Sequence, residues 1–337
     1  MFQVHLLCET VPLVAGERLL SLNSAADPLI SLAAQQIGTG AIVLAEDTIA
    51  TAQEQFPVLP SAIQHVPLHN YILQQPANTM DRAVMNLLYQ PANVWMLYGL
   101  YAAVHALRPG GSLYVAGAKE RGILTVGKHM QEFFGNVETI TISKGHRVLC
   151  SRKSSEKTVT TRLASPPDLT VFAKSQLDEG TRQLLAALEV QATDVALDIG
   201  CGAGLIGLHL AHLACQGRVT MVDASLAAVA ATQRAVAASG LTNIDVLPSN
   251  GAQAVLAQRF DLVVTNPPFH QGGIQTTKIA EQFMREAAQV LRPQGHFYLV
   301  ANRFLKYEPI LHACFKQVKE VGGDKRYKVL RASLEKG

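Results

Sequence analysis

The chain has 337 residues, 48% of them apolar and 16% charged, with a formal net charge of +3. That much apolar material excludes an intrinsically disordered chain, and the length suits two domains of roughly 150 residues each. So small a net charge does not by itself announce a nucleic-acid binder, because phosphate recognition depends on where Lys and Arg cluster.

The five cysteines, Cys8, Cys150, Cys201, Cys215 and Cys314, are odd in number and scattered, with neither a C-x-x-C pair nor a His at zinc-ligand spacing. Free thiols in a reducing cytoplasm are the expectation, with no bound metal. Residues 1–16 hold a short apolar stretch with no Lys or Arg ahead of it and Glu9 inside it, a poor pattern for an export signal.

In chain order, Val94 to Leu107 is the most apolar helical candidate of the first half; it is too short to span a bilayer and carries His105, so it reads as a core helix without a membrane role. It runs into Leu107-Arg108-Pro109-Gly110-Gly111-Ser112-Leu113-Tyr114-Val115-Ala116, which resembles Leu291-Arg292-Pro293-Gln294-Gly295-His296-Phe297-Tyr298-Leu299-Val300-Ala301, with helix, turn and strand in the same order. A weaker match sets Met80 to Leu87 beside Phe260 to Pro267 at nearly the same offset. Two collinear matches predict a duplication. The first copy lacks a D-x-G-x-G loop and has Asn86-Leu87-Leu88-Tyr89 where the second has Asn266-Pro267-Pro268-Phe269, so it is expected to be degenerate and to bind no cofactor. Lys119, Arg121, Lys128, Lys144, Arg147, Arg152 and Lys153 give this half a basic edge, either a solvated face or an RNA contact.

Ser151 to Asp168 is rich in Ser, Thr, Lys and Arg and ends in Ser165-Pro166-Pro167-Asp168, which reads as an exposed connection. The expected organisation is a first domain over residues 1–155, a linker over 156–168 and a second domain over 169–337. The stretch Thr158 to Thr161 is also compatible with an edge strand.

The second half alternates strands and helices. Strands are expected at Asp194 to Ile199, Arg218 to Val222, Ile244 to Leu247, Phe260 to Thr265 and His296 to Val300. Helices are expected at Leu205 to Leu213, at Ser225 to Ser239 with Gly240 as its stop, and at Thr276 to Leu291. This order predicts an α/β domain, a doubly wound and mostly parallel sheet with ligands at the carboxyl ends of its strands.

Gly200-x-Gly202-x-Gly204 ends the first of these strands and opens a helix, which lets backbone approach a ligand closely. The dinucleotide fingerprint wants a third Gly where Leu205 stands, which disfavours a nicotinamide oxidoreductase. The run Asp198-Ile199-Gly200-Cys201-Gly202-Ala203-Gly204 instead resembles the first motif of class I methyltransferases. That resemblance implies S-adenosyl-L-methionine as cofactor, with Asp198 holding its amino-acid end and Gly200, Cys201, Gly202 and Gly204 making room for its methionine portion. Asp223, followed by Ala224, ends the next strand, where a carboxylate can accept from both ribose hydroxyls. Ser249-Asn250-Gly251 ends the third strand, near where the pattern places the adenine ring. Each of these polar groups, taken alone, is also an ordinary helix cap.

Asn266-Pro267-Pro268-Phe269 closes the strand Phe260 to Thr265. Two prolines cannot continue a ladder, so the chain is held extended with the Asn266 amide and the Pro267 carbonyl facing one point. The run resembles the N-P-P-[FY] motif of methyltransferases acting on planar nitrogens: adenine N6, guanine N2 or a glutamine amide. Such a nitrogen shares its lone pair with its ring or carbonyl, and acceptors on its hydrogens favour the pyramidal, nucleophilic form. Asn266 Oδ1 and the Pro267 carbonyl are the expected acceptors, Pro268 the stiffener, and Phe269 a stacking surface for an unpaired ring; Asn266 is also expected among the residues that border the cofactor.

Asn266 to Gly272, Val300 to Leu305 and Lys328 to Ala332 together resemble the ribosomal small-subunit guanine-N2 methyltransferase C family, over the whole chain. The resemblance implies two tandem Rossmann-like class I methyltransferase domains with seven-stranded sheets, the N-terminal one degenerate. It implies methyl transfer to the N2 of a guanine in 16S ribosomal RNA, by a cytoplasmic monomer acting on the small subunit, without metal or membrane. Arg303 and Lys306 depart from the pattern, where smaller or uncharged residues are usual. Other readings are a large-subunit guanine-N2 or adenine-N6 enzyme, a protein glutamine-amide methyltransferase, and a non-catalytic RNA-binding assembly factor. His270 and His296 lack partners at metal spacing and read as turn and strand positions.

Overall fold

Alternating burial makes Val195–Ile199 a strand with Ala196 and Asp198 on one face and Leu197 and Ile199 on the other. In this computed structural model the strand lies inside a seven-stranded sheet covered on both faces. The structure describes residues 5–56, 58, 60–154, 166–169, 178–268, 270–271, 274–275 and 277–334. Most of the residues 156–168 expected as a linker, the candidate edge strand at 158–161, and Phe269 therefore lie outside the described residues. The chain divides into two compact units, residues 1–169 and 170–337.

In the first unit the strands are β1 (Arg18–Leu22), β2 (Ala41–Glu46), β3 (Ile63–Pro67), β4 (Met80–Asn86), β5 (Leu107–Ala118), β6 (Glu138–Ser143) and β7 (His146–Arg152). Their order is β3-β2-β1-β4-β5-β7-β6; the first five are parallel, while β7 is antiparallel to both β5 and β6. The candidate core helix is present as Asn93–Ala106.

The second unit has β8 (Val195–Ile199), β9 (Arg218–Asp223), β10 (Ile244–Pro248), β11 (Phe260–Thr265), β12 (His270–Gln271), β13 (Ile274–Gln275), β14 (Leu291–Asn302), β15 (Gln317–Gly323) and β16 (Tyr327–Ser333). Its main sheet runs β10-β9-β8-β11-β14-β16-β15, again five parallel strands followed by an antiparallel pair, while β12 and β13 form a separate short hairpin. Leu197, Ile199, Val263, Phe297 and Leu299 pack under the helix Lys278–Val290 on one face. Ala196, Val219, Met221, Leu262, Val264 and Tyr298 pack under the helix Leu205–Leu213 on the other. The helix Leu226–Ser239 starts at Ser225, whose Oγ accepts from Ala228 N–H at 3.1 Å, and stops at Gly240 with φ +73°.

Strand registers align the two units residue by residue. Arg82 pairs with Ser112 just after a register shift in β4–β5, as Leu262 pairs with His296 just after one in β11–β14. Leu19 pairs with Arg82 as Ala196 pairs with Leu262, and Leu22 pairs with Ala45 as Ile199 pairs with Val222. Carried along, these pairings match Ser21 to Asp198, Glu46 to Asp223 and Asn86 to Asn266. They also match Asn23-Ser24-Ala25-Ala26-Asp27 to Gly200-Cys201-Gly202-Ala203-Gly204.

The first unit's basic residues do not form one edge. Lys119, Lys144 and Arg147 sit where β5 ends and β6 turns into β7. Arg152 and Lys153 lie at the far end of β7, roughly 20 Å away at about 3.3 Å per residue. There Lys153 Nζ donates to Asn78 Oδ1 at 2.7 Å and to the carbonyls of Val104 and Leu107 at 2.5 and 2.7 Å, which closes the C-terminus of a helix.

Candidate active site

At the end of β8 the chain folds back over β9. The N–H groups of Gly200 and Cys201 both donate to the Val222 carbonyl, at 2.8 and 3.0 Å. Gly202 adopts φ +56°, a left-handed conformation, and no atom lies within 4 Å of the place a Cβ would take. Its N–H donates to Asp223 Oδ2 at 2.9 Å and its carbonyl accepts from Thr232 Oγ1 at 2.8 Å, so the loop is held from both sides with its outer surface open. Asp223 Oδ1 accepts from Ser225 N–H at 2.8 Å; burial raises the Asp223 carboxyl although Ser225, Gly202 and Ala224 N–H groups pull it down. Cys201 is buried beside Thr232, with 3.7 Å between Sγ and Oγ1.

Asp198 is fully buried. Its Oδ2 accepts from Gly207 N–H in the first turn of the following helix, at 2.9 Å, while Oδ1 has no hydrogen-bond partner among the described residues. Burial drives this carboxyl up to about 7, against the lowering effect of the Gly207 N–H, and the Asp223 charge raises it further. A buried carboxylate oxygen without a partner is costly, and marks a place where a donor or a cation would be stabilised.

Ser249, Asn250 and Gly251 follow β10. Ser249 Oγ accepts from Ala254 N–H at 3.0 Å, and Asn250 Oδ1 accepts from Gln282 Nε2 at 3.3 Å. The buried Glu286 carboxylate, which the sequence did not single out, holds this loop to the helix Lys278–Val290. It accepts from Ala252 N–H at 2.6 Å, from Gln282 Nε2 at 3.0 Å and from Gln253 Nε2. A Cβ on Gly251 would come within 2.1 Å of Glu286 Oε2, so only Gly fits here.

β11 lies between β8 and β14, and its end presents Asn266, half-buried, with Pro267 buried and Pro268 exposed. Asn266 Nδ2 donates to Thr181 Oγ1 at 2.9 Å, with Asp178 Oδ2 at 3.5 Å; Oδ1 accepts nothing from the described residues. Its counterpart in the first unit behaves differently. Asn86 Nδ2 donates to Asp27 Oδ2 at 2.8 Å, and Asn86 Oδ1 accepts from Leu88 N–H, two residues on, at 3.0 Å. Pro268 stands where Leu88 does and has no N–H, so it cannot consume the Asn266 oxygen.

Thr181 and Asp178 belong to the start of the helix Glu179–Ala187, which sequence reading missed. The segment Ser-Gln-Leu-Asp-Glu-Gly-Thr adjoins the polar connection and carries only a capping residue as a signal. Arg303, left without a role by the sequence, binds Glu320 at 2.7 Å and the Asp324 carbonyl at 2.5 Å, across the turn of the β15–β16 hairpin. His296 lies in β14 with burial lowering its pKa, and among the described residues no group of His, Cys, Asp and Glu could hold a metal ion. Among the described residues no helix is long and apolar enough to cross a membrane. The described cysteines are free.

A family model, the methyltransferase small domain, matches residues 164–331. The ribosomal RNA small subunit methyltransferase C of Hahella chejuensis is 38% identical over 179 residues, 53% of this chain and 51% of that protein. The proteins of that name from Shewanella sediminis and Shewanella baltica are 30% and 32% identical, covering 80% and 77% of this chain and 82% and 79% of theirs. Among solved structures, the T. thermophilus 16S rRNA N2 G1207 methyltransferase in complex with AdoMet and guanosine superposes with a TM-score of 0.83 at 30% identity, over 99% of this chain and 92% of that one. The chain therefore belongs to the ribosomal RNA small subunit methyltransferase C family.

Proposed function

We propose that this chain transfers a methyl group from S-adenosyl-L-methionine to the exocyclic N2 of a guanine in 16S ribosomal RNA, acting as a cytoplasmic monomer on the assembled small subunit. The observation that carries the reading is the Asn266 amide, whose nitrogen is tied down while its oxygen accepts nothing from the described residues, at the end of the strand next to the glycine loop. The residues fit the cofactor. Among the described residues Asp198 Oδ1 is a buried acceptor lacking a donor, and the outer surface of Gly202 has room for a ligand at van der Waals distance from backbone. Asp198 and Gly200 to Gly204 would hold its amino-acid portion, Asp223 with Ala224 its ribose, and Ser249 to Gly251 its adenine.

When bound, S-adenosyl-L-methionine supplies a sulfonium-activated methyl group. The protein's part is alignment: Asn266 Oδ1 and the Pro267 carbonyl accept from the guanine amino hydrogens and favour the pyramidal nitrogen. No strong base is needed before attack, because the alkylated amine is acidic and loses its proton readily. Phe269, outside the described residues, is assigned the stacking role by its place in the motif. Residues 1–155, the degenerate copy, serve substrate binding and folding, with residues 156–168 as the connection to the catalytic part.

The test is to incubate the protein and its Asn266→Ala variant with labelled S-adenosyl-L-methionine and small subunits lacking the modification. Labelled N2-methylguanosine is expected from the wild type. The variant should keep its cofactor affinity and lose about 100-fold or more in kcat, the scale of a deleted transition-state hydrogen-bonding group. N6-methyladenosine, or label in protein alone, overturns the guanine reading.

A further inference from the structure

We infer that Thr181 and Asp178 are positioning residues for this methyl transfer, fixing which end of the Asn266 amide faces the substrate; the inference rests on the function proposed above. An Asn side chain ends in an oxygen and a nitrogen of nearly equal size, and only its hydrogen-bond partners decide the orientation. Asn266 has Thr181 Oγ1 at 2.9 Å and Asp178 Oδ2 at 3.5 Å on one side. A carboxylate can only accept, so the amide must turn its nitrogen toward this pair. Oδ1 then points the other way. Rotated by 180°, the amide would set its oxygen against the Asp178 carboxylate and present N–H groups to the hydrogens of the incoming amine, which is repulsive on both sides.

The clamp is itself built in. Asp178 Oδ1 accepts from Thr181 N–H at 2.7 Å, which caps the helix Glu179–Ala187 and fixes the spacing of the two acceptors. Thr181 is 6% exposed. Between them, Gly180 packs against Tyr327: a Cβ there would lie 3.2 Å from the ring's Cε1. Tyr327 begins β16, and the Arg326 guanidinium sits 5.5 Å from the centre of its ring. The orientation of one amide therefore depends on a segment 85 residues earlier in the chain.

The experiment compares the full-length protein with Thr181→Val, which keeps the shape and removes the acceptor, with Thr181→Ser, which keeps the acceptor, and with Thr181→Val in an Asn266→Ala background. Turnover on unmodified small subunits, cofactor affinity by calorimetry and the side-chain amide resonance of Asn266 are measured. The resonance is assigned by its absence in Asn266→Ala. The expected result for Thr181→Val is about a tenfold loss of kcat, with KM for subunits and Kd for the cofactor changed less than about twofold. Its Asn266 amide protons should exchange faster with solvent. Thr181→Ser should recover most of the rate, and Thr181→Val should cost nothing further once Asn266 is gone. Independent, multiplying losses in the double variant overturn the inference, as does a Thr181→Ser variant as slow as Thr181→Val, or a loss confined to Kd or KM. A wild type without guanine methylation removes the proposed reaction, while the amide exchange still reports whether Thr181 orients Asn266.

Discussion

Replacing Pro268 by Ala returns to the catalytic corner the backbone N–H that its degenerate twin already has. In the first unit Leu88 N–H donates to Asn86 Oδ1 at 3.0 Å, a local turn in which an Asn side chain bonds the backbone two residues ahead. An N–H at position 268 can do the same to Asn266 Oδ1, and a substrate amine must then displace it. A neutral hydrogen bond of this kind is worth about 0.5–1.5 kcal/mol. Releasing the chain from proline costs about 0.4–1 kcal/mol more in ordering. Together these slow the methyl transfer by about 5- to 70-fold at ~1.4 kcal/mol per factor of ten. Pro268 is exposed, so its truncation leaves little cavity. The control is Pro267→Ala, which restores an N–H one residue after Asn266, where it does not reach Oδ1; the ordering cost applies without a competing donor, about 2- to 5-fold in kcat, and the packing lost with the buried ring is read separately by thermal unfolding. Single-turnover rates on unmodified small subunits, with cofactor affinity measured in parallel, separate the two. Equal losses in both variants, or none in Pro268→Ala, would show that the prolines act by stiffness alone and refute the argument from the missing donor.

Gly202→Ala forces a side chain into the left-handed region and into the space assigned to the cofactor; thermal unfolding should show a loss of about 1 kcal/mol, and calorimetry a cofactor affinity at least tenfold weaker. A Gly202→Ala protein that binds normally would remove this loop from the site. Titration of the wild type should give one bound S-adenosyl-L-methionine per chain, because the first unit has Asn23 to Asp27 in place of the glycine loop and its Asn86 amide is bonded internally to Asp27 and Leu88; a second equivalent would contradict that. Burial lifts the Asp198 carboxyl from near 4 to about 7, so the folded ligand-free protein holds a proton that the unfolded chain releases. Its contribution to stability is present below pH 4 and is lost as pH rises through 7, and Glu46, lifted to about 8 by burial, acts in the same sense. Denaturant titrations of Asp198→Asn should therefore show a shallower fall in stability between pH 5 and 7 than the wild type; an unchanged slope would mean that Asp198 finds a partner in solution.

The strand, glycine loop and helix around Asp198 were legible because hydrophobic period, turn residues and motif spacing all agree there, and the helix Leu205–Leu213 has the bounds expected of it. Expected strands at His296 to Val300 and Ile244 to Leu247 extend further, to Leu291–Asn302 and Ile244–Pro248. The Arg-Pro-Gln-Gly run reads as a turn, yet it lies within the strand, in the register shift between the pairings of Leu291 and His296 with β11. The first unit was legible in its apolar core helix, Asn93–Ala106, and where its sequence still resembles the second. Asn23 to Asp27 carries no glycine, and nothing in its composition announces a cofactor loop; only the sheet register discloses the match. The clamp on Asn266 was illegible for another reason: contacts across 85 residues leave no local pattern.

The two units also separate what this fold needs from what the site needs. Ala25 N–H donates to Glu46 Oε2 at 3.0 Å, as Gly202 N–H donates to Asp223 Oδ2 at 2.9 Å, so the bond that ties the loop to the second strand is present in both. That bond is therefore part of folding, and the Asp223 carboxylate would be required even where no ribose is held. The difference lies at the Asn corner and the groups around it. Asp27 stands where the second unit has Gly204 and reaches Asn86, and Gln90 Nε2 donates to the carbonyls of Leu22, Asn23 and Asn86 at 3.1, 3.1 and 3.2 Å, so these backbone and amide groups are bonded internally, while among the described residues Ser21 Oγ, Asn23 Nδ2 and Gln90 Oε1 have no partner. In the second unit Asp198 Oδ1 and Asn266 Oδ1 accept nothing from the described residues, and at Asn266 this follows from Pro268, which has no N–H to donate where Leu88 donates to Asn86 Oδ1. At this corner, activity thus requires the chain to forgo a local hydrogen bond that the degenerate copy makes, the one from Leu88 N–H to Asn86 Oδ1.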